Sequence, residues 1–548
     1  MNAAQALVRR LIDHGVDAAF GLPGEENLAF VEALADSAIE LVVTRHEQHA
    51  AFMAAAHGRL TRRPGVCLAT LGPGAINLFT GLAHAELGGM PVIAITGQKP
   101  NRDNDEGSFQ VVDIPAAARP LTRWSVAVSD PRAIVATIDE AFSRAMSDRP
   151  GAVLIELPED VAEETMETAY WPLTDPVHSS VPASAAIAAA ADVINRATRP
   201  VILVSAGATS VEVSRSLTAF AESTGIGVLA TQLGKGAIPE SHPLSNRSLG
   251  IHRPDYSHVA IEPAELVVAV GYQPVEHPPL AWNPEANKTI IHVASWRAAK
   301  ERGYQPSHEL VGGISGILEL LGQQITPRDP ATASDVGSVI SQLLDNEDGG
   351  EGFPPSPLAI VRAVQSAVNE RDVVALDNGA YKIWFARHFR AEFPNRLLLD
   401  NALATMGAGL ATGMAAARLA INERVLVVAG DGGFLMNVQD IETACRLELD
   451  LTVLVVRDNA YGFIGWHQEE QGRDRDGVAL ANPDMALLAE AFGASACTVT
   501  KTDSLADMLE RAMDTSGVSL IDCPIDYTMN ALLSTDLYAH AREALARP

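Results

Sequence analysis

Residues 425–434 read VLVVAGDGGF, residues 437–448 NVQDIETACRLE and residues 451–463 LTVLVVRDNAYGF. A β-branched run ending in Gly-Asp-Gly-Gly, a helical pattern and a second β-branched run make one βαβ unit, whose two strands are parallel. The same alternation of short β-branched runs with helical patterns recurs along the chain, which predicts an α/β fold.

Working outward, strands are expected over 40–43, 66–69, 92–96 and 153–157, with helices between them. The pattern lapses over 160–186 into acidic, Pro-bearing sequence that reads as a linker. A second region has strands over 201–204, 266–270 and 289–293 and fades after Leu321. DNEDGGEGFPPSP, residues 345–357, is rich in Gly, Pro and acid and reads as a second linker. Strands over 373–376, 425–429, 451–456 and 519–521 belong to a third region. Three doubly wound parallel-sheet domains follow, over residues 1–170, 185–335 and 355–548.

The 548 residues carry 40 Lys and Arg against 68 Asp and Glu, a formal charge of −28. Neither nucleic acid nor an anionic membrane is expected as a general partner of such a chain. Apolar residues at 47% and charged residues at 20% mark a globular protein with a sizeable core. Cys67, Cys445, Cys497 and Cys523 form no CxxC pair, so no disulfide framework or zinc knuckle is signalled and reduced cytoplasmic thiols are expected. The N-terminal MNAAQALVRRLIDHGVDAAFG places arginines within its apolar stripe and reads as an amphipathic helix, not a signal peptide. The least charged stretches, 67–85 and 401–417, are broken by Gly, Asn, Thr or Pro and suit buried loop-to-helix segments. A soluble, cytoplasmic protein is expected.

Asp431 lies just past one strand of the βαβ unit and Asn459 just past the other. Both therefore project from the carboxyl edge of a parallel sheet, where α/β folds bind ligands. Neighbouring strands lie about 5 Å apart, so one hard cation could touch both side chains. A carboxylate, an amide oxygen and a free main-chain carbonyl suit Mg²⁺, which completes its shell with phosphate oxygens and water. Gly430, Gly432 and Gly433 allow close backbone approach, and the helix start beyond them favours an anion. An Asp-Gly-Gly turn with no ligand is the plainer reading of the triplet alone.

Near the N-terminus, IELVVTRHEQHAAFMAAAHGRL runs from strand into helix with Glu47 in the first turn. Thr44-x-x-Glu47 fits a capping box, in which Glu47 would close back on the Thr44 amide. The next loop, TLGPGAIN from Thr70 to Asn77, joins a strand to a helix. His46, His57, His84 and His467 have no sequence neighbour that marks them as acid–base groups.

The triplet Gly430-Asp431-Gly432, then 25 residues, then Asp458-Asn459 resembles the thiamin diphosphate signature, with Asp in place of the first Asn of its pair. GLPGEEN, TRHEQ, TLGPGAINL, PVIAITGQ, TQLGKGAIPE, NALATMGAG, GDGGFLMNVQDIETA and DNAYGFIGWHQ extend the likeness over the whole chain. The sequence resembles the acetolactate synthase branch of thiamin diphosphate enzymes. That resemblance implies a pyrimidine-binding, a central Rossmann-like and a diphosphate-binding domain. It implies Mg²⁺ held by Asp431, Asn459 and the Tyr461 carbonyl, and cofactor contacts from Thr70, Gly72, Asn77, Met406, Gly430, Gly432 and Gly433. Glu47 would hydrogen-bond the cofactor's aminopyrimidine, a role that excludes capping. Gln110 in GSFQ matches a substrate-side glutamine, Met406 the bulky residue beneath the thiazolium, and Gln468 a position tied to the second substrate. Taken alone, Met406 reads as core filler and the two glutamines as solvated loop groups.

VVAVGYQPVEHPPLAWNP and CPIDYTMN look like the catabolic, FAD-independent type, so FAD is not expected. GLPGEEN stands where catabolic enzymes carry a lysine near the substrate. The implied function is a decarboxylating carboligase that condenses two pyruvates to 2-acetolactate and CO₂. A homodimer, or a tetramer of two dimers, with active sites between subunits is implied as well. A 2-oxo acid decarboxylase, a carboligase with another acceptor, and a silent nucleotide-binding paralogue are the alternatives.

Overall fold

The computed structural model describes residues 1–103, 107–166, 171–173, 180–250, 253–420 and 423–546. Its strands fall into three six-stranded sheets. The first contains β1 (Ala18–Gly21), β2 (Glu40–Val43), β3 (Gly65–Ala69), β4 (Val92–Gln98), β5 (Trp124–Ala127) and β6 (Ala152–Pro158). The second contains β7 (Pro200–Val204), β8 (Val228–Ala230), β9 (Ser245–Ser248), β10 (Leu266–Val270), β11 (Thr289–Ala294) and β12 (His308–Val311). The third contains β13 (Val373–Leu376), β14 (Leu397–Leu398), β15 (Val425–Gly430), β16 (Leu451–Arg457), β17 (Ser495–Thr498) and β18 (Val518–Pro524).

Every ladder between these strands is parallel, as the βαβ reading requires. The first sheet runs β2-β1-β3-β4-β6-β5 and the third β14-β13-β15-β16-β18-β17, the same topology twice. The central sheet differs, running β12-β11-β10-β7-β8-β9. Each order has an inner reversal of direction, between β1 and β3, between β7 and β10, and between β13 and β15, and the first and third also turn back at their outer edges, at β6-β5 and β18-β17. Such switch points open a crevice beyond the strand ends. Thus Asp431, which follows β15, stands at the third sheet's switch point.

Helix Glu47–Thr61 of the first unit packs along helix Ala408–Leu419 of the third. Both are rich in Ala and Gly, and their buried residues share one core with the inner faces of both sheets. On its other side helix Ala408–Leu419 sits close on its own sheet: a Cβ on Gly413 would lie 2.1 Å from Val427 Cγ2 of β15. The N-terminal helix forms as expected over Ala3–Asp13, capped by Asn2 and Gln5. Among the described residues, no helix is long and apolar enough to cross a membrane.

Seven strands had no counterpart in the sequence reading. Five of them, β5, β9, β12, β14 and β17, border a sheet or are very short, and β9 is the polar tetrapeptide SNRS. Helix Ala331–Asn346 runs through the expected boundary at residue 335 and packs on β9, so it continues the central unit. The first linker lies partly outside the described residues, as does the expected boundary at residue 170.

Candidate active site

Strands β15 and β16 are neighbours in register, Gly430 opposite Val456, which brings Asp431 and Asn459 together. Asp431 opens a short helix, is 2% exposed, and takes hydrogen bonds on Oδ2 from the Asn459 amide at 2.8 Å and from Asn482 Nδ2 at 2.6 Å. Asn482 Nδ2 also donates to Asn459 Oδ1 at 3.0 Å. One donor nitrogen thus bridges the carboxylate and the amide oxygen, so the two acceptors converge on a single point. Burial pushes the Asp431 carboxyl up, and burial together with the Asp431 charge pushes Asp458 up to about 6. This donor set fits a hard divalent cation, whose charge would offset two acids held out of water. The Tyr461 carbonyl, expected to be free, accepts from the Ile464 and Gly465 amides at 3.0 and 3.1 Å as the cap of helix Gly462–Glu470.

Around this point lies a cavity of about 380 Å³ lined by Gly430, Asp431, Gly432, Gly433, Met406, Tyr461 and Phe463, among others. The glycines are close-packed: a Cβ on Gly433 would lie 2.0 Å from Asp377 Oδ2, and one on Gly432 3.0 Å from the Tyr461 ring. Asp377 in turn receives the Gly407 amide at 2.9 Å, fixing the turn that presents Met406. The cavity wall also holds Lys382, Asn378, Asn401, Gln232 and Glu276, which the sequence reading passed over. Lys382 and Asn378 follow β13 just as Asp431 follows β15, so the strand-end argument that found Asp431 could have found them. Gln232 and Glu276 come from the central unit; Glu276 lies as far past β10 as Lys382 past β13, whereas Gln232 follows β8, a strand the sequence did not signal. Glu276 accepts from Ser205 Oγ and Thr231 Oγ1, both at 2.7 Å, and burial pushes its carboxyl up to about 7.

The second group of expected site residues gathers at the switch point of the first sheet. Glu47 is 9% exposed and Oε2 accepts from Asn77 Nδ2 at 2.9 Å. The capping box is not formed. His46 is the cap, its Nδ1 accepting from the Gln48 amide at 3.1 Å, and the helix begins at Glu47 itself, two positions too late for the box. Gly74 leaves room beside Glu47, since a Cβ there would lie 3.1 Å from Oε1. Thr70 Oγ1 donates to Glu26 at 2.8 Å, and Glu26 pairs with Lys99 at 2.6 Å. Gly72, at φ +47°, lies under the Gln110 main chain, and Gln110 itself is exposed at φ +60°. Neither this group nor Gln468 lines the cavity. Gln468 Nε2 donates to the Asp476 carbonyl at 3.0 Å, which ties it to the following loop. His84 has a partner that its sequence neighbours did not show: Nδ1 lies 3.4 Å from Asp400 Oδ2.

The comparisons with known proteins agree with this division. The family described as "Thiamine pyrophosphate enzyme, N-terminal TPP binding domain" matches residues 1–117, the central domain of that family residues 187–321, and its C-terminal TPP binding domain residues 377–523. One match falls on each sheet, the organisation of a thiamine pyrophosphate-dependent enzyme. Similar curated proteins include "Acetolactate synthase" of Bacillus subtilis (strain 168), 33% identical over 98% of this chain and 95% of that protein. "Acetolactate synthase, catabolic" of Raoultella terrigena is 32% identical over 98% of this chain and 97% of its own length. "Acetolactate synthase isozyme 2 large subunit" of Escherichia coli (strain K12) is 30% identical over 97% and 96%. The chain belongs to the acetolactate synthase family of thiamine pyrophosphate-dependent enzymes.

Proposed function

We propose that this enzyme is a decarboxylating carboligase that condenses two molecules of pyruvate to 2-acetolactate and CO₂. The observation that carries the reading is the convergence of Asp431 Oδ2 and Asn459 Oδ1 on one donor at a sheet switch point, with Asp431 also lining a glycine-walled cavity. Mg²⁺ held by those two oxygens would anchor the cofactor's diphosphate against the Gly430–Gly433 turn. When bound, thiamin diphosphate supplies the electron sink for loss of CO₂ from a 2-oxo acid.

The chain's own residues supply position and proton control. Glu47, buried and held by Asn77, would exchange a proton with the aminopyrimidine. Met406, fixed through Gly407 and Asp377, would pack against the cofactor's thiazolium. Thr70, Gly72 and Asn77 shape the pyrimidine side, and the cavity walls exclude water. The condensation is redox-neutral and needs no flavin as an electron carrier.

Glu47 and its neighbours do not line the cavity within this chain, while Phe109 is 77% and Ile76 44% exposed beside them. We infer that the first domain of a second copy closes the cavity, giving a homodimer or a tetramer of two dimers. Gln110 would then face substrate from that second copy, and Gln468 would act through the loop it holds. Reading the domains as 1–170, about 185 to the end of helix Ala331–Asn346, and 355–548 fits that assembly. A cytoplasmic setting accords with four unpaired cysteines.

The test is a mass-spectrometric product screen of purified protein with thiamin diphosphate, Mg²⁺ and a panel of 2-oxo acids. Acetolactate from pyruvate alone is the expected result. Free aldehyde in its place would make the protein a 2-oxo acid decarboxylase.

A further inference from the structure

Lys382 is the one cationic side chain among the described residues that line the cavity, whose other charged lining groups are Glu276, Asp431 and Asp458. It sits on helix Ala380–His388 and is 9% exposed. Its ammonium donates to Asn378 Oδ1, to the Asp400 carbonyl at 2.8 Å and to Asn401 Oδ1 at 2.8 Å. All three are uncharged oxygens, and among the described residues no carboxylate pairs with it.

The nearest carboxylates are committed elsewhere. Asp400 receives the Ala402 and Ala404 amides at 3.0 and 2.8 Å, Asp377 the Gly407 amide, and Glu276 the Ser205 and Thr231 hydroxyls. An ammonium held from water by neutral oxygens alone is incompletely compensated, and a carboxylate is the partner that completes it. Two of its present oxygens belong to the Asn378 and Asn401 side chains, which line the same cavity and can turn aside for a ligand. Asn401 also donates to Gln232 Oε1 at 2.7 Å, and Asn378 to the carbonyl of Thr405, the residue before Met406.

We propose that Lys382, with Asn401 and Gln232 beside it, binds the carboxylate of the acceptor, the second 2-oxo acid of the condensation. This rests on the carboligase reading above. The donor's carboxylate leaves as CO₂, and an ion pair to it would stabilise the ground state and oppose its departure. The acceptor's carboxylate persists unchanged into the product. The two-carbon unit left from the donor forms its bond to the acceptor's carbonyl carbon, that carbonyl's π bond breaks, and its oxygen takes up a proton. A cation that favours binding without hindering chemistry therefore belongs to the acceptor. The cofactor's diphosphate offers the same anionic oxygens, but the cation-seeking pair Asp431 and Asn459 marks its place.

The experiment is Lys382→Met, with Lys382→Gln as a second variant that keeps a donor for the surrounding oxygens should the first not fold. Losing one charge-assisted hydrogen bond should raise the pyruvate KM for acetolactate formation about 10- to 100-fold. Acetolactate formed per CO₂ released should fall, while condensation with acetaldehyde, an acceptor without a carboxylate, should persist. Calorimetry should give thiamin diphosphate affinity within about threefold of the parent, less than half the energy of one such bond. A comparable loss of cofactor affinity would assign Lys382 to the diphosphate and overturn the inference, as would a parental pyruvate KM. A parent that binds cofactor yet makes no acetolactate defeats the carboligase reading; a parent that makes it beside an unaltered variant defeats this inference alone.

Discussion

Glu47 Oε2 accepts a 2.9 Å hydrogen bond from Asn77 Nδ2, joining the start of one helix of the first domain to the end of another. With His46 as the cap, Glu47→Gln should leave melting near the parent's. Hydrogen–deuterium exchange at the cofactor's C2, measured by NMR after acid quench, should slow by at least about 10², the usual worth of general acid–base assistance. Exchange at the parental rate would remove Glu47 from the reaction.

Asp431→Ala should abolish Mg²⁺-dependent binding of thiamin diphosphate. It deletes the carboxylate on which the Asn459 amide and the Asn482 side chain both converge. Titration calorimetry with and without Mg²⁺ measures this, and unchanged metal-dependent affinity would contradict the assignment.

Gly433→Ala tests how tightly the turn is seated. The new Cβ would lie 2.0 Å from Asp377 Oδ2, and Asp377 holds the Gly407 turn. Overpacking of this kind costs about 1–3 kcal/mol. Lower melting and weaker cofactor binding are expected together, whereas Gly352→Ala, with nothing within 4 Å, should change neither.

Glu156, on β6, is 3% exposed, and burial pushes its carboxyl from 4.5 up to about 7 against the opposing hydrogen bond from Gln98. A carboxyl raised on folding contributes stability that is full below about pH 4.5 and is lost as pH rises through about 7. Glu156→Gln stays neutral throughout and keeps an acceptor for Gln98. Between those pH values the variant should gain on the parent by up to about 3 kcal/mol. Melting curves across pH 4–8 report it, and parallel curves would refute the shift.

The central strands were legible because buried β-branched runs such as 266–270 and 373–376 carry their own signal. Edge strands were not: SNRS and SACT are neither alternating nor apolar, and pairing with a neighbour alone makes them strands. Asp431 and Asn459 were found because spacing places them past adjacent strands. The Thr44–Glu47 cap failed because the helix starts two positions later than the box requires, and His46, a residue seldom read as a cap, took that place. Asn482 and Glu276 reach the site from distant segments, a proximity that local pattern does not encode.

The alanine-lined contact of helix Glu47–Thr61 with helix Ala408–Leu419 bears on how the chain reaches its fold. No ladder between the named strands is antiparallel, so each pairing must wait for a crossover to be built, and such non-local closure is slow. The core of the first sheet is moreover finished by a helix some 350 residues away in sequence. A fragment ending before residue 400 would leave uncovered a helix face of alanines around His49. During synthesis the N-terminal third must therefore persist as an incomplete intermediate until the last third has emerged from the ribosome.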